Sequence, residues 1–207
     1  MKKIYYSLFV LAALVFIVAL YIDSEILAAI SKPIPLIMLL LLVKPDSKYN
    51  KLIFVGFIFS LFGDVFLMKV VDNFILGLAS FLIGHVFYIF AFLNRNAYAK
   101  LVTSIPFYLL AAGLAAFLYP YLGELLIPVF AYVFVIMTMV WRSFLQIKSD
   151  KLAILAFIGA VLFAFSDSCI AFNMFYQPFE WADYLIITTY WAGQFLIYLS
   201  TTSKAVD

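Results

Sequence analysis

The chain has 207 residues, of which 68% are apolar, 20% aromatic and 12% charged, with a mean hydropathy of +1.14. A soluble domain carries about 45–50% apolar and about 25% charged residues, so a soluble fold, a disordered chain and a disulfide-stapled secreted domain are excluded together. The net charge of +2 gives no sign of a polyanionic partner, so no nucleic acid is expected.

Lys2-Lys3 followed by an apolar run from Ile4 to Ile22 imitates a signal peptide. The run is longer than a signal h-region of about 7–15 residues and has no clear small-x-small cleavage site, so a retained first helix is expected. Charges and turn formers divide the rest into further runs, giving eight predicted spans at 4–22, 28–43, 52–68, 74–93, 101–118, 125–142, 152–172 and 182–200. Each is near the length of about 20 residues that a helix needs to cross a bilayer. Pro33 and Pro35 interrupt the second, which is expected to begin around Lys32-Pro33, where proline in a first turn costs little. Backbone polar groups in lipid must pair internally, so the runs are read as helices, and no period-two alternation suggests a barrel. The fold class is all-α: a single integral membrane domain over 1–207, a bundle of eight transmembrane helices.

Orientation follows from the basic residues. With the N-terminus in the cytoplasm, the inside receives Lys2, Lys3, Lys44, Lys48, Lys51, Arg95, Lys100, Arg142, Lys148, Lys151 and Lys204, and the outside only Lys32 and Lys69. Both termini are therefore expected in the cytoplasm, and in a bacterium the membrane would be the inner one. There is also a faint internal echo. Phe59–Asp64 resembles Leu162–Asp167, and Gly84-His85 resembles Gly193-Gln194, which suggests a weak parallel repeat of 1–100 and 101–207.

Ionisable residues inside membrane helices cost about 2.5–3.5 kcal/mol each at the centre, so they usually face the bundle interior and mark function. Lys32, Asp64, His85 and Asp167 are of this kind. Given the spans, Asp64 and Asp167 fall at similar depth in the outer half, Lys32 near the outer face and His85 near the midplane. Asp183, Tyr190 and Gln194 share one face of the last helix, although Asp183 also suits the interface. Ser60 lies one turn below Asp64, and Tyr88 one turn below His85. Bland roles stand beside these: a hydrogen-bonded structural carboxylate, a core histidine, a snorkelling Lys32. Trp141, Trp181 and Trp191 read as interface or packing residues, Trp181 being the best placed for an aromatic belt. One Cys169 rules out an internal disulfide, and one histidine with one cysteine cannot supply a usual zinc or haem set. A carboxylate-held Mg²⁺ or Ca²⁺ is not excluded on that ground.

Ser31-Lys32-Pro33-Ile34-Pro35, Phe62-Gly63-Asp64, Gly84-His85 with Tyr88, Phe165-Ser166-Asp167 with Asn173, and Tyr190 with Gly193-Gln194 together resemble the YhhN/TMEM86 family of lysoplasmalogenase-like integral membrane proteins. The resemblance runs from Lys32 to the eighth helix. It implies hydrolysis of the vinyl ether bond of a lysoplasmalogen, a lysophospholipid, to a fatty aldehyde and glycerophospho-ethanolamine or -choline. Such cleavage starts with protonation of the vinyl β-carbon and passes through an oxocarbenium ion that water captures. Two carboxyls in one apolar pocket suit that chemistry, much as in glycoside hydrolysis. Under the resemblance Asp64 and Asp167 are the acid–base pair and His85 orients a carboxylate or relays a proton. Tyr88, Tyr190 and Gln194 then place water and the ether oxygen, Asn173 is either a helix-end group or a pocket residue that binds substrate, and Lys32 holds the phosphate. No metal or other cofactor is implied, and the partners are the lysophospholipid and membrane lipids. Two other readings stay open: a proton-coupled transporter of a small molecule or lipid using the same buried Asp/His set, and a non-catalytic membrane scaffold.

Overall fold

A computed structural model describes residues 2–203, so Lys204 and both chain ends lie outside the described residues. The described residues form no strand. They form nine α-helices in order: α1 Lys2–Tyr21, α2 Glu25–Ser31, α3 Ile34–Leu42, α4 Lys48–Phe66, α5 Phe74–Arg95, α6 Ile105–Leu118, α7 Leu126–Leu145, α8 Ala153–Ala171 and α9 Ala182–Ser200. Helices α2 and α3 are two halves of one broken span. Seven segments of the described chain, that pair counted once, are long and apolar enough to cross a membrane. Helix α9 has 19 residues and carries Asp183, Thr188, Thr189 and Gln194 along them. Large apolar side chains such as Leu11, Leu14, Leu109, Leu110 and Phe134 face outward, as lipid contact requires. The chain is an integral, multi-pass membrane protein.

The second span starts earlier than Pro33 suggests. Ser24 accepts the Leu27 N–H and Glu25 occupies the first turn, so residues 25–31 form a helix of their own ahead of the prolines. The break then falls at Lys32-Pro33, with Pro33 and Pro35 opening α3, where their missing N–H groups need no partner. Ser47 and Asn73 cap α4 and α5 in the same manner, accepting from Asn50 N and Leu76 N. Helix α7 outruns its predicted end at 142 because Arg142 is buried there. Its guanidinium donates to the carbonyls of Asn96 and Tyr98 and ties down the chain between α5 and α6.

Two antiparallel pairs, α4 with α5 and α8 with α9, pack most closely, and glycine is the reason. A Cβ on Gly84 would sit 3.1 Å from the Gly56 carbonyl oxygen. A Cβ on Gly159 would sit 2.6 Å from that of Gly193, and one on Gly193 2.8 Å from that of Gly159. Small residues allow this backbone approach between membrane helices. Asp64 follows Gly56 by eight residues and Asp167 follows Gly159 by eight, so the two close pairs carry their carboxylates in the same register.

Candidate active site

The site lies between the two glycine-seated pairs, toward the end of the bundle that carries Lys69. Asp64 stands near the C-terminal end of α4 and is buried, at 3% exposure. The Tyr190 hydroxyl of α9 donates to its Oδ2 at 2.9 Å. The glycine before it makes room for an aromatic ring, since a Cβ on Gly63 would lie 2.5 Å from Phe81. Phe81 thus reaches across α4 to meet Tyr190 edge-on at 5.8 Å and Phe163 at 5.9 Å. Lys32, at the break between α2 and α3, is half-buried, and its ammonium acts electrostatically on both Asp64 and Asp183.

Asp167 on α8 is half-buried, and the Tyr132 hydroxyl of α7 donates to its Oδ2. Each carboxylate therefore has a tyrosine from another helix. The two tyrosines stand at opposite ends of one run of packed rings, which joins the carboxylates into one site. Between the tyrosines runs an aromatic wall: Tyr190 meets Phe163 at 5.1 Å, Phe163 meets His85 at 4.7 Å, and His85 meets Tyr132 at 5.2 Å. Below it, the Tyr88 hydroxyl donates to Gln194 Oε1 at 2.9 Å and lies 3.3 Å from Ser60 Oγ. All four of these deeper polar side chains, His85, Tyr88, Gln194 and Ser60, are fully buried.

Two expectations need correction. His85 bonds neither carboxylate; among the described residues neither ring nitrogen has a hydrogen-bond partner, and the tyrosines hold the carboxylates instead. Asn173 is not directed at the site. It sits in a π-turn, Phe172–Tyr176, that follows α8, and its Oδ1 accepts the Phe179 N–H at 3.1 Å, closing the connection to α9. The other residues singled out, Lys32, Asp64, Tyr88, Asp167, Tyr190 and Gln194, are brought together. Tyr132 and Phe163 were missed. A phenol inside an apolar span is a polar group there, and for Tyr132 that was the available signal; Phe163 offered none.

A cavity of about 140 Å³ opens beside the site, with Lys32, Lys69 and Asp183 in its lining. An apolar slot of about 50 Å³ reaches Asp167 and Tyr132 from the side of α5 to α8. The far end of the bundle has a polar cavity of its own, about 690 Å³, lined by Lys44, Arg95 and Asp150 among others. The bundle is therefore polar at both ends. Ile53, Phe57, Phe92 and Ile197, all fully buried, form a packed layer along the helices between that cavity and the carboxylates.

The sequence profile of the YhhN family matches residues 27–201. The chain belongs to that family. Among its relatives, lysoplasmalogenase TMEM86B of Homo sapiens is 33% identical over 190 residues, covering 86% of this chain and 77% of that protein. Lysoplasmalogenase TMEM86A of Bos taurus is 37% identical over 159 residues, 73% of this chain and 65% of that one. Lysoplasmalogenase TMEM86B of Mus musculus is 32% identical over 171 residues, 80% and 70% respectively. No solved structure matches this YhhN family chain.

Proposed function

We propose that this chain is a membrane-embedded ether hydrolase that cleaves the vinyl ether bond of lysoplasmalogen, releasing a fatty aldehyde and glycerophospho-ethanolamine or -choline. Relatives at 32–37% identity bear the name lysoplasmalogenase. The observation that carries the reading is the pair Asp64 and Asp167, two carboxylates from different helices held by separate tyrosines in one apolar, aromatic-walled site.

In this mechanism one carboxyl delivers its proton to the vinyl β-carbon, and the ether oxygen stabilises the cation that forms on the adjacent carbon. The other carboxylate faces that cation and takes a proton from the attacking water. The hemiacetal then collapses to aldehyde and the glycerol hydroxyl. Tyr190 and Tyr132 keep the carboxylates aimed, and their hydroxyls are the positioning donors. The nitrogens of His85 are buried groups that a water in the site would satisfy, since leaving each unpaired costs about 1–3 kcal/mol. Tyr88, itself bonded to Ser60, holds Gln194 in place. Lys32 takes the phosphate in the cavity next to Asp64, and its charge is set close enough to act on that carboxylate.

The eleven-to-two division of basic residues supports cytoplasmic termini, which puts this site in the outer half of the membrane. The matched registers of Gly56 with Asp64 and Gly159 with Asp167 support the reading of 1–100 and 101–207 as weak parallel repeats. A carrier is the second reading, and the polar cavity at the far end favours it. Against it stands the packed layer of Ile53, Phe57, Phe92 and Ile197, which a transported molecule would have to part.

The test is aldehyde release from lysoplasmalogen by the purified protein, run with and without a chelator and beside Asp64→Asn. Release that survives the chelator and vanishes in the variant supports the two-carboxylate hydrolase. Chelator-sensitive release overturns that mechanism while keeping the activity, and no release from either head-group class turns the reading to the carrier.

A further inference from the structure

Three cavities at the Lys69 end share walls in succession. The charged cavity with Lys32 and Asp183 is bounded by Leu67. Leu67 also bounds the apolar slot that reaches Asp167. That slot is bounded in turn by Leu114 and Ser168, and the same two residues line a third, open groove of about 440 Å³ with Phe117, Phe172 and Cys169. Leu67 thus lines both sides of the first junction, and Leu114 and Ser168 both sides of the second. Leu67 is the first residue beyond α4 and rests against Gly77, where a Cβ would fall 2.5 Å from its Cδ2. Its backbone N–H is fixed to the Gly63 carbonyl at 3.0 Å, and only its side chain stands between the two cavities.

The order along this path is charged cavity, carboxylate at a narrow waist, apolar groove. That is the order of polarity in an amphiphile with one hydrocarbon chain. We propose that the groove between α6 and the end of α8 is the tail site of a single-chain ether lipid. Its chain passes Leu114 and Ser168, its reacting bond lies at Asp167, and its head group occupies the Lys32 cavity with Leu67 turned aside. This rests on the hydrolase reading and extends it to where the chain lies. It also gives a physical reason for a lysolipid, because a second chain on the glycerol would have to share a waist of about 50 Å³.

Cys169 is the one cysteine of the chain and lines the groove, so it reports occupancy without any substitution. The full-length protein in nanodiscs is treated with N-ethylmaleimide, and modification of Cys169 is followed by mass spectrometry. The probe is a saturated sixteen-carbon alkyl-ether lysophosphoethanolamine, which has no vinyl group to cleave; glycerophosphoethanolamine, the same head without a chain, is the control. The expected result is alkylation slowed about tenfold by the ether lipid at ten times its Kd and unchanged by the head group alone. Equal rates with and without the ether lipid, in protein that hydrolyses lysoplasmalogen, overturn the groove and leave the hydrolase reading intact. Protection in protein that releases no aldehyde upholds the groove and removes the hydrolase. A second measurement needs no thiol chemistry. Leu114→Trp narrows the exit and is expected to move the kcat/KM optimum to shorter alkenyl chains, lowering the value for a sixteen-carbon chain at least about tenfold. An unchanged chain-length profile overturns the proposal.

Discussion

Tyr132 of α7 gives its hydroxyl to Asp167 of α8, just as Tyr190 of α9 gives its own to Asp64 of α4. Both phenols are buried. A hydrogen bond to a charged group is worth about 1.5–3 kcal/mol, and losing it also frees the carboxylate to rotate. Tyr132→Phe and Tyr190→Phe are therefore each expected to lower kcat about 10- to 100-fold, with KM little changed. Steady-state aldehyde release decides the matter; a Phe variant with wild-type kcat would show that the tyrosine only fills space.

Removing the titratable group itself is a sharper test. Asp64→Asn and Asp167→Asn keep the volume and an acceptor oxygen for the tyrosine, so the helix packing at the site is preserved. Turnover should drop below detection in both, while detergent-extracted yield and thermal midpoint stay near wild type. Activity retained in either variant would take that residue out of the chemistry.

In the proposed mechanism Lys32 acts at the other end of the substrate. It lines the charged cavity and not the waist, so under that reading it would contact the phosphate equally in ground and transition states. Lys32→Ala should raise KM with little effect on kcat, which is the signature of lost uniform binding. A fall in kcat with KM constant would instead assign Lys32 to the electrostatics of Asp64, on which its charge also acts.

Much of this site was visible in the sequence because a membrane interior makes polar residues conspicuous. Asp64, His85 and Asp167 stood out as ionisable groups inside apolar runs, and alternation of the spans placed the two aspartates at one depth. Tyr132 did not stand out, since the chain has 14 tyrosines and the carboxylate it serves arrives from a different helix. Asn173 left two readings open, helix end or pocket, and the structure shows the first. Close to Asp167 in sequence, it turns toward Phe179 because the helix ends in a π-turn that only the three-dimensional path reveals. Helix α2 was hidden by Pro33, whose usual message is a helix start, and its cap at Ser24 lay outside the apolar run.

The backbone contact between Gly159 and Gly193 predicts an asymmetric response to a single methyl group. In Gly193→Ala the new Cβ would lie 2.8 Å from the Gly159 carbonyl oxygen and 3.1 Å from Phe163 N, both backbone atoms that cannot swing away. The helices must part, which for an overpacked contact costs about 1–3 kcal/mol. The same change at Gly113 on α6, where nothing lies within 4 Å, should be neutral or stabilising by up to about 1 kcal/mol through helix propensity. Thermal midpoints of the two variants, measured side by side, check this; equal loss in both would mean that the α8–α9 contact is looser than its geometry.

Far from the carboxylates, Asp150 in the turn before α8 offers a prediction about pH. Partial desolvation pushes its carboxyl upward, but the Ser203 hydroxyl, the Leu152 N–H at 2.6 Å and the Arg95 charge outweigh it and hold the group below the usual aspartate range. A carboxyl depressed in the folded state adds stability above its unfolded pKa, about 3.9, and that stability is lost as pH falls through the folded value. Asp150→Asn keeps an acceptor for Ser203 and Leu152 but removes the charge. At pH 7 the variant should therefore melt below wild type, and the gap should close as the pH is taken below about 4. A gap that persisted unchanged to pH 3 would mean that Asp150 stabilises the turn by shape and not by charge.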